Sequence, residues 1–158
     1  MLAFVLEKTP KPPKKPSAVL KNVVRKYHNL KRTSVSYQQF EPLYNLWVNY
    51  IETILCGGDF TKDDRLLKAD YHGCLLYIAR AYNPSMVGIN GIVVYESKNA
   101  FLIVSRKNKL LTIPKQGSIF QFVLKEKLFT IFGDNFRSSP PARINKKYKN
   151  VVVPVLLK

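Results

Sequence analysis

Between Val87 and Phe122, apolar runs alternate with short polar breaks, and the breaks carry turn-forming residues. Ile89–Tyr95, Ala100–Ser105, Leu110–Ile113 and Ser118–Leu124 are rich in Ile, Val, Leu and Phe, whereas ESKN, RKNK and PKQG lie between them. The spacing predicts four strands, and links this short allow only antiparallel neighbours, because a parallel pair needs a long crossover. A fifth strand, Gly73–Arg80, is expected before an Asn-Pro-Ser turn, and a sixth, Leu128–Phe132, after the turn Lys125-Glu126-Lys127. Phe120, Phe122 and Leu124 share one strand face, yet Ile119 and Val123 on the other face are also apolar. Two apolar faces imply cover on both sides, as in a small barrel packed on a helix or a partner. Gly88 and Gly91, at a strand entry, are expected to permit tight bending of the barrel wall.

The helical signal is concentrated upstream. Leu43, Leu46, Trp47, Tyr50, Ile51 and Ile54 recur at helical spacing over Glu41–Leu55, with Pro42 in the first turn and Gly57-Gly58 as a stop. This helix is expected to pack on the sheet through Leu46, Trp47, Tyr50 and Ile54, with Trp47 in the core and not a base-stacking platform. Asp63–Asp70 reads as a shorter helix or turn. Four segments follow: a Pro- and Lys-rich extension over 1–40, expected to be disordered unless bound; a helical segment over 41–69; a mainly β barrel of six antiparallel strands over 70–136; and a basic C-terminal segment over 137–158. That last segment has room for a short helix after Pro141. Its apolar end, Val151–Leu157, suits either an edge strand or docking on the barrel.

Charge changes the picture. The formal net charge is +16, and the excess lies in two flanks. Before Thr33, Lys8, Lys11, Lys14, Lys15, Lys21, Arg25, Lys26, Lys31 and Arg32 are opposed only by Glu7. After Asp134, Arg137, Arg143, Lys146, Lys147, Lys149 and Lys158 meet no acid, while the stretch between is close to neutral. A balanced core with two basic arms points to a polyanion. A membrane surface would call for an apolar helical face that TPKPPKKPS does not offer. The candidate nucleic-acid-binding residues are therefore Lys14, Lys15, Lys21, Arg25, Lys26, Lys31 and Arg32 in the first arm, and Arg137, Arg143, Lys146, Lys147 and Lys149 in the second. Lys98, Arg106, Lys107, Lys109 and Lys115, in or beside turns of the core, complete the set.

Residues for chemistry are sparse. The only local group of acids, Asp59, Asp63, Asp64 and Asp70, sits among Lys62, Arg65 and Lys68 and reads as a solvated surface. His28 lies in the basic arm, and His72 at a strand start is expected to make a structural hydrogen bond. Cys56 and Cys74 form no metal-binding spacing and read as small buried hydrophobes in a reducing compartment. Met1–Leu6 is too short for a signal-peptide core, so a soluble intracellular protein is expected. No catalytic residue, metal or cofactor is implied.

Several ordered motifs carry a family resemblance. Leu66-Leu67-Lys68-Ala69-Asp70-x-His72-Gly73 is followed by Pro84-Ser85-x-Val87-Gly88-Ile89-x-Gly91 and Glu96-Ser97-Lys98-Asn99. Then come Ile113-Pro114-Lys115, Phe120 and Gly133-Asp134-Asn135-Phe136-Arg137-Ser138-Ser139. From roughly Leu43 to Lys149 the chain resembles the Sm-like subunit of ribonuclease P in its eukaryotic form, shared there with ribonuclease MRP. The resemblance implies an Sm-like barrel and an accessory role beside a catalytic RNA, with no catalysis by the protein alone. It further implies stabilisation of that RNA, help in positioning precursor tRNA for 5′-leader removal, contact with other subunits, notably a zinc-ribbon one, and a nuclear, nucleolar location. The competing reading is a general Sm- or OB-like RNA-binding or ribosomal protein, which shares the charge and strand pattern but not the ordered motif set.

Overall fold

The expected strands form, and a short one joins them, in a computed structural model that describes residues 35–55, 64–145 and 155–156. They are β1 (Leu75–Arg80), β2 (Asn90–Glu96), β3 (Ala100–Ser105), β4 (Leu110–Pro114), β5 (Ile119–Leu124), β6 (Lys127–Phe132) and β7 (Val155–Leu156). All pair antiparallel in one sheet of order β4-β3-β2-β1-β5-β6-β7. The apolar C-terminal run thus supplies an edge strand, with Val155 opposite Leu128 and Leu156 opposite Lys127.

The expected closed barrel is not what the ladders make. β4 and β7 are the two edges, and among the described residues no pairing joins them. β7 lies on the side of β6 that a closing strand would need. The sheet nevertheless curls strongly. β4 and β5 are separated by β3, β2 and β1, a distance of about 19 Å on a flat sheet at about 4.8 Å per strand. The link between them, Lys115 to Ser118, would fall just short of that even fully stretched, and instead it turns, with the Ser118 amide donating to the Lys115 carbonyl at 3.2 Å. Gly133, just beyond β6, sits against this turn. Its amide donates to the Ser118 carbonyl at 2.9 Å, and a Cβ there would overlap the Lys115 carbonyl oxygen. Loop contacts thus do locally what a ladder would do along a barrel seam.

Turn chemistry agrees with the sequence. The Asn83 side chain accepts from the Ser85 amide at 3.1 Å and the Ser85 hydroxyl at 2.8 Å, fixing the 3-10 turn Pro84–Met86. Gly88 follows it at φ +81°, in the left-handed region.

Helix α1 (Glu41–Ile54) covers one side of the core, after a 3-10 turn at Tyr37–Phe40. Its buried line advances by four residues through Trp47 and Ile51 to Leu55, the residue just after the helix. Leu46 and Tyr50 each precede a member of that line and point about 100° away. Leu46 is 65% exposed and Tyr50 is also exposed, so the expected packing of these two is corrected; Ile54 packs against the core as expected. Trp47 meets Phe122 edge to face at 5.7 Å, and its indole N–H donates to the Asp70 carbonyl at 2.8 Å. Short helices α2 (Asp64–Lys68) and α3 (Pro140–Arg143) lie beside one another. The outer sheet face is covered only in part: Ile92, Leu102 and Val104 are buried on it, where the Tyr37–Phe40 turn approaches β2 and β3, whereas Tyr77, Val123 and Phe132 stand exposed.

Candidate nucleic-acid interface

Strand β2 carries a bulge that decides the interior chemistry. Val93 pairs with Ile103, but Tyr95 pairs with Leu102 and Glu96 with Phe101, so Val94 is the extra residue. Without the bulge, alternation from core-facing Val93 would aim Glu96 at solvent. With it, Glu96 falls on the core side opposite Phe101 and is fully enclosed.

Two cations meet that carboxylate. Lys115, at the end of β4, donates through Nζ to Glu96 Oε1 at 2.5 Å, to the Ser97 carbonyl at 2.9 Å and to the Ser138 carbonyl at 3.3 Å. Arg143, the last residue of α3, forks onto both Glu96 oxygens and donates from Nη2 to the Ala69 carbonyl at 2.7 Å. Aromatic faces finish the shell. Lys115 Nζ lies 4.5 Å from the Phe101 centroid, and the Arg143 guanidinium carbon lies 4.2 Å from that of Phe136. One carboxylate against two buried cations leaves a net positive centre, offset by three carbonyl dipoles and by ring faces.

The same centre gathers the motifs that stood apart in the sequence. His72 accepts the Glu96 amide at Nε2 (3.2 Å), so its proton is on Nδ1, which meets Asp70 Oδ1 at 2.5 Å. That hydrogen bond is the main reason the Asp70 carboxyl sits below the usual carboxylate range; the His72 backbone amide and the Arg143 charge add to it, against partial burial. With Nε2 already engaged, His72 is a structural group, as expected from its place at a strand start. Burial pushes the Cys74 thiol well above its ordinary range, which suits an inert core residue. An open groove of about 270 Å³, lined by Leu43, Leu46, Trp47, Tyr50, Asp70 and His72, runs past this pair. Among the described residues, no three His, Cys, Asp or Glu side chains come together as a metal site.

The sequence-predicted basic residues fall into three groups. Lys98 in the β2–β3 turn, Arg106, Lys107 and Lys109 in the β3–β4 turn, and Arg137 after β6 are exposed. The length of β3 separates Lys98 from the Arg106–Lys109 turn, where Asn108 adopts φ +57° and its side chain accepts the Tyr37 amide at 2.8 Å. Lys115 and Arg143 are corrections: each is 0% exposed, turned inward by Glu96, and neither is presented to a ligand. Lys14, Lys15, Lys21, Arg25, Lys26, Lys31, Arg32, Lys146, Lys147 and Lys149 lie outside the described residues. The sequence reading missed Glu96 itself, and it passed over Arg80 and the 92%-exposed Tyr82. Glu96 did leave a signal: it is the lone acid between Asp70 and Glu126, and it ends an apolar strand.

Comparison with known proteins assigns the chain. The family model described as Ribonuclease P/MRP, subunit p29, matches residues 64–146. The chain is 34% identical to the rat Ribonuclease P protein subunit p29, over 77% of its own length and 57% of the rat protein's. It is 29% identical to the RNases MRP/P 32.9 kDa subunit of Saccharomyces cerevisiae, over 84% of this chain and 54% of the yeast protein. It is 32% identical to the Ribonuclease MRP protein subunit POP4 of Arabidopsis thaliana, over 65% and 35% respectively. The chain therefore spans about half the length of the rat and yeast relatives, and less of the plant one. Its matched segment holds the whole Glu96–Lys115–Arg143 centre, and the chain belongs to the ribonuclease P/MRP subunit p29 family.

Proposed function

We propose that this chain is an RNA-binding subunit of a ribonuclease P/MRP ribonucleoprotein, accessory to a catalytic RNA and not catalytic alone. It stabilises the folded RNA and helps position precursor tRNA for 5′-leader removal, with rRNA processing as the counterpart role in the MRP particle. The observation that carries this reading is the family match, in which rat, yeast and plant relatives are all named as subunits of these ribonucleases. The surface supports it: Lys98, Arg106, Lys107, Lys109 and Arg137 are exposed in the turns and loops that flank the strands, and the sequence on either side of the near-neutral core is basic. Lysines and arginines so placed neutralise phosphates, release counterions and fix position without reading sequence. The partners are the ribonuclease P or MRP RNA, precursor tRNA and other subunits, including a zinc-ribbon one, and the site of action is the nucleus and nucleolus.

Native affinity capture of the tagged protein from its own cells tests the proposal. It should recover a ribonuclease P or MRP RNA with further protein subunits, and the captured particle should cut a precursor-tRNA leader until its RNA is digested. The purified chain alone should not cut. Cleavage by the isolated protein after RNase treatment would overturn the accessory role, and capture of ribosomal RNA alone would overturn the particle assignment.

A further inference from the structure

Lys115 is bound to the residues flanking two exposed cations. Its ammonium donates to the Ser97 carbonyl, one residue before Lys98, and to the Ser138 carbonyl, one residue after Arg137. Its backbone amide donates to the Asn99 carbonyl at 2.8 Å, on the other side of Lys98. The β2–β3 turn and the segment after β6 come from opposite halves of the domain, and one buried side chain ties them. From this geometry we infer that Lys115 is a positioning residue, which holds Lys98 and Arg137 as a preset pair of cations for the phosphate backbone of an RNA.

The inference rests on the RNA-binding reading above and deepens it. Both Lys98 and Arg137 are exposed, whereas Lys115 is enclosed and reaches no ligand itself. Two surface cations on independent turns would lose conformational freedom when they engage phosphates. Turns fixed in advance lose less, and the difference appears as affinity. An ammonium group has the geometry for such a tie. Its three donors on one nitrogen reach the Glu96 carboxylate, which neutralises the charge, and the two carbonyls, which belong to the separate segments. Arg143 touches neither carbonyl. It satisfies Glu96 and Ala69 instead, so the two buried cations divide the work between them.

Lys115→Met separates position from charge contact. The variant leaves a forked, neutral Glu96–Arg143 pair, and its thioether stem can occupy the space beside Phe101 and Phe136, so the fold is expected to survive. The full-length variant, titrated with a short RNA duplex, should bind roughly tenfold more weakly. Its log–log salt slope should stay at the parent value, because every phosphate keeps its cation. Replacing Lys98 and Arg137 by Gln should lower that slope by about 0.7–0.9 for each phosphate no longer neutralised. Adding Lys115→Met to that double variant should weaken binding no further.

Arg143→Met controls for net charge, since it removes an equally buried cation that bonds neither the Ser97 nor the Ser138 carbonyl. Equal losses in the Lys115 and Arg143 variants would assign the effect to charge and overturn the inference. If Lys98→Gln with Arg137→Gln weakens binding but folded Lys115→Met does not, the positioning role falls while the RNA-binding reading stands. If the double Gln variant binds as well as the parent, this face is not an RNA contact and both fall together. Should Lys115→Met not fold, the parent protein still decides: amide order parameters at Lys98 and Arg137 should be near the rigid-backbone value of about 0.85, and values below about 0.6 would overturn the inference.

Discussion

Arg143 grips Glu96 across 47 residues of chain, and both side chains are sealed from solvent. This pair fixes α3 to the end of β2 and makes the carboxylate common to two cations. The two partners are therefore not equivalent. Glu96→Gln strands Lys115 and Arg143 together in an aromatic interior and should cost about 3–5 kcal/mol of unfolding free energy. Arg143→Met leaves a neutral Lys115–Glu96 pair and should cost less, about 1–3 kcal/mol for the unsatisfied Ala69 carbonyl and the poorer packing. Urea titration of both variants gives the order directly, and a milder effect for Glu96→Gln would contradict this charge accounting.

Trp47 links helix to sheet by ring contact and by a hydrogen bond to Asp70. Trp47→Ala should destabilise by about 3–5 kcal/mol. A variant with parent-like thermal stability and weakened RNA binding would place the indole in a stacking role instead.

Acid should loosen the start of β1 through Asp70. Its carboxyl is held below the ordinary value by His72, so its contribution is fully present above the unfolded carboxylate pKa of about 3.9. That contribution fades as pH falls through the lower, folded value. The Asp70 side chain is half exposed, so solvent screening keeps the effect under about 1 kcal/mol. Asp70→Asn should reduce stability near pH 6 and show a shallower fall between pH 5 and 2. A parallel pair of stability–pH curves would remove Asp70 from the acid response.

The β3–β4 turn offers a test of exposed charge. Replacing Arg106, Lys107 and Lys109 with Gln should lower RNA affinity and salt slope while changing stability by well under 1 kcal/mol, because exposed charges add little to folding. Deleting the residues before Thr33 should likewise reduce the slope with the sheet intact. An unchanged slope in either case would assign that region to a protein partner.

The strands and helix α1 were legible because turn residues and apolar periodicity act locally, and both agree with the final packing. Leu46 and Tyr50 were misread because helical spacing marks a stripe wider than the line this sheet buries. The ends of the sheet were harder, since curl and edge pairing depend on contacts between Lys115, Ser118 and Gly133 that no local pattern encodes. Lys115 and Arg143 looked like solvated basic residues because a cation's destination depends on where its partner points. Here that depended on one bulge at Val94, which reverses the facing of Glu96 and drew both cations inside.

The placement of this ion cluster along the chain gives helix α3 a distinct standing. Glu96 and Lys115 both lie within the run of β1 to β6 and already make a neutral pair, so those strands do not need Arg143 for charge balance. Arg143 then adds a positive charge to a site whose carboxylate already has a partner, and it holds there through geometry and two carboxylate oxygens. Helix α3 can accordingly detach without leaving Glu96 unpaired. Partial opening of the native protein should begin there, as amide exchange that is fast at Arg143 and slow at Glu96.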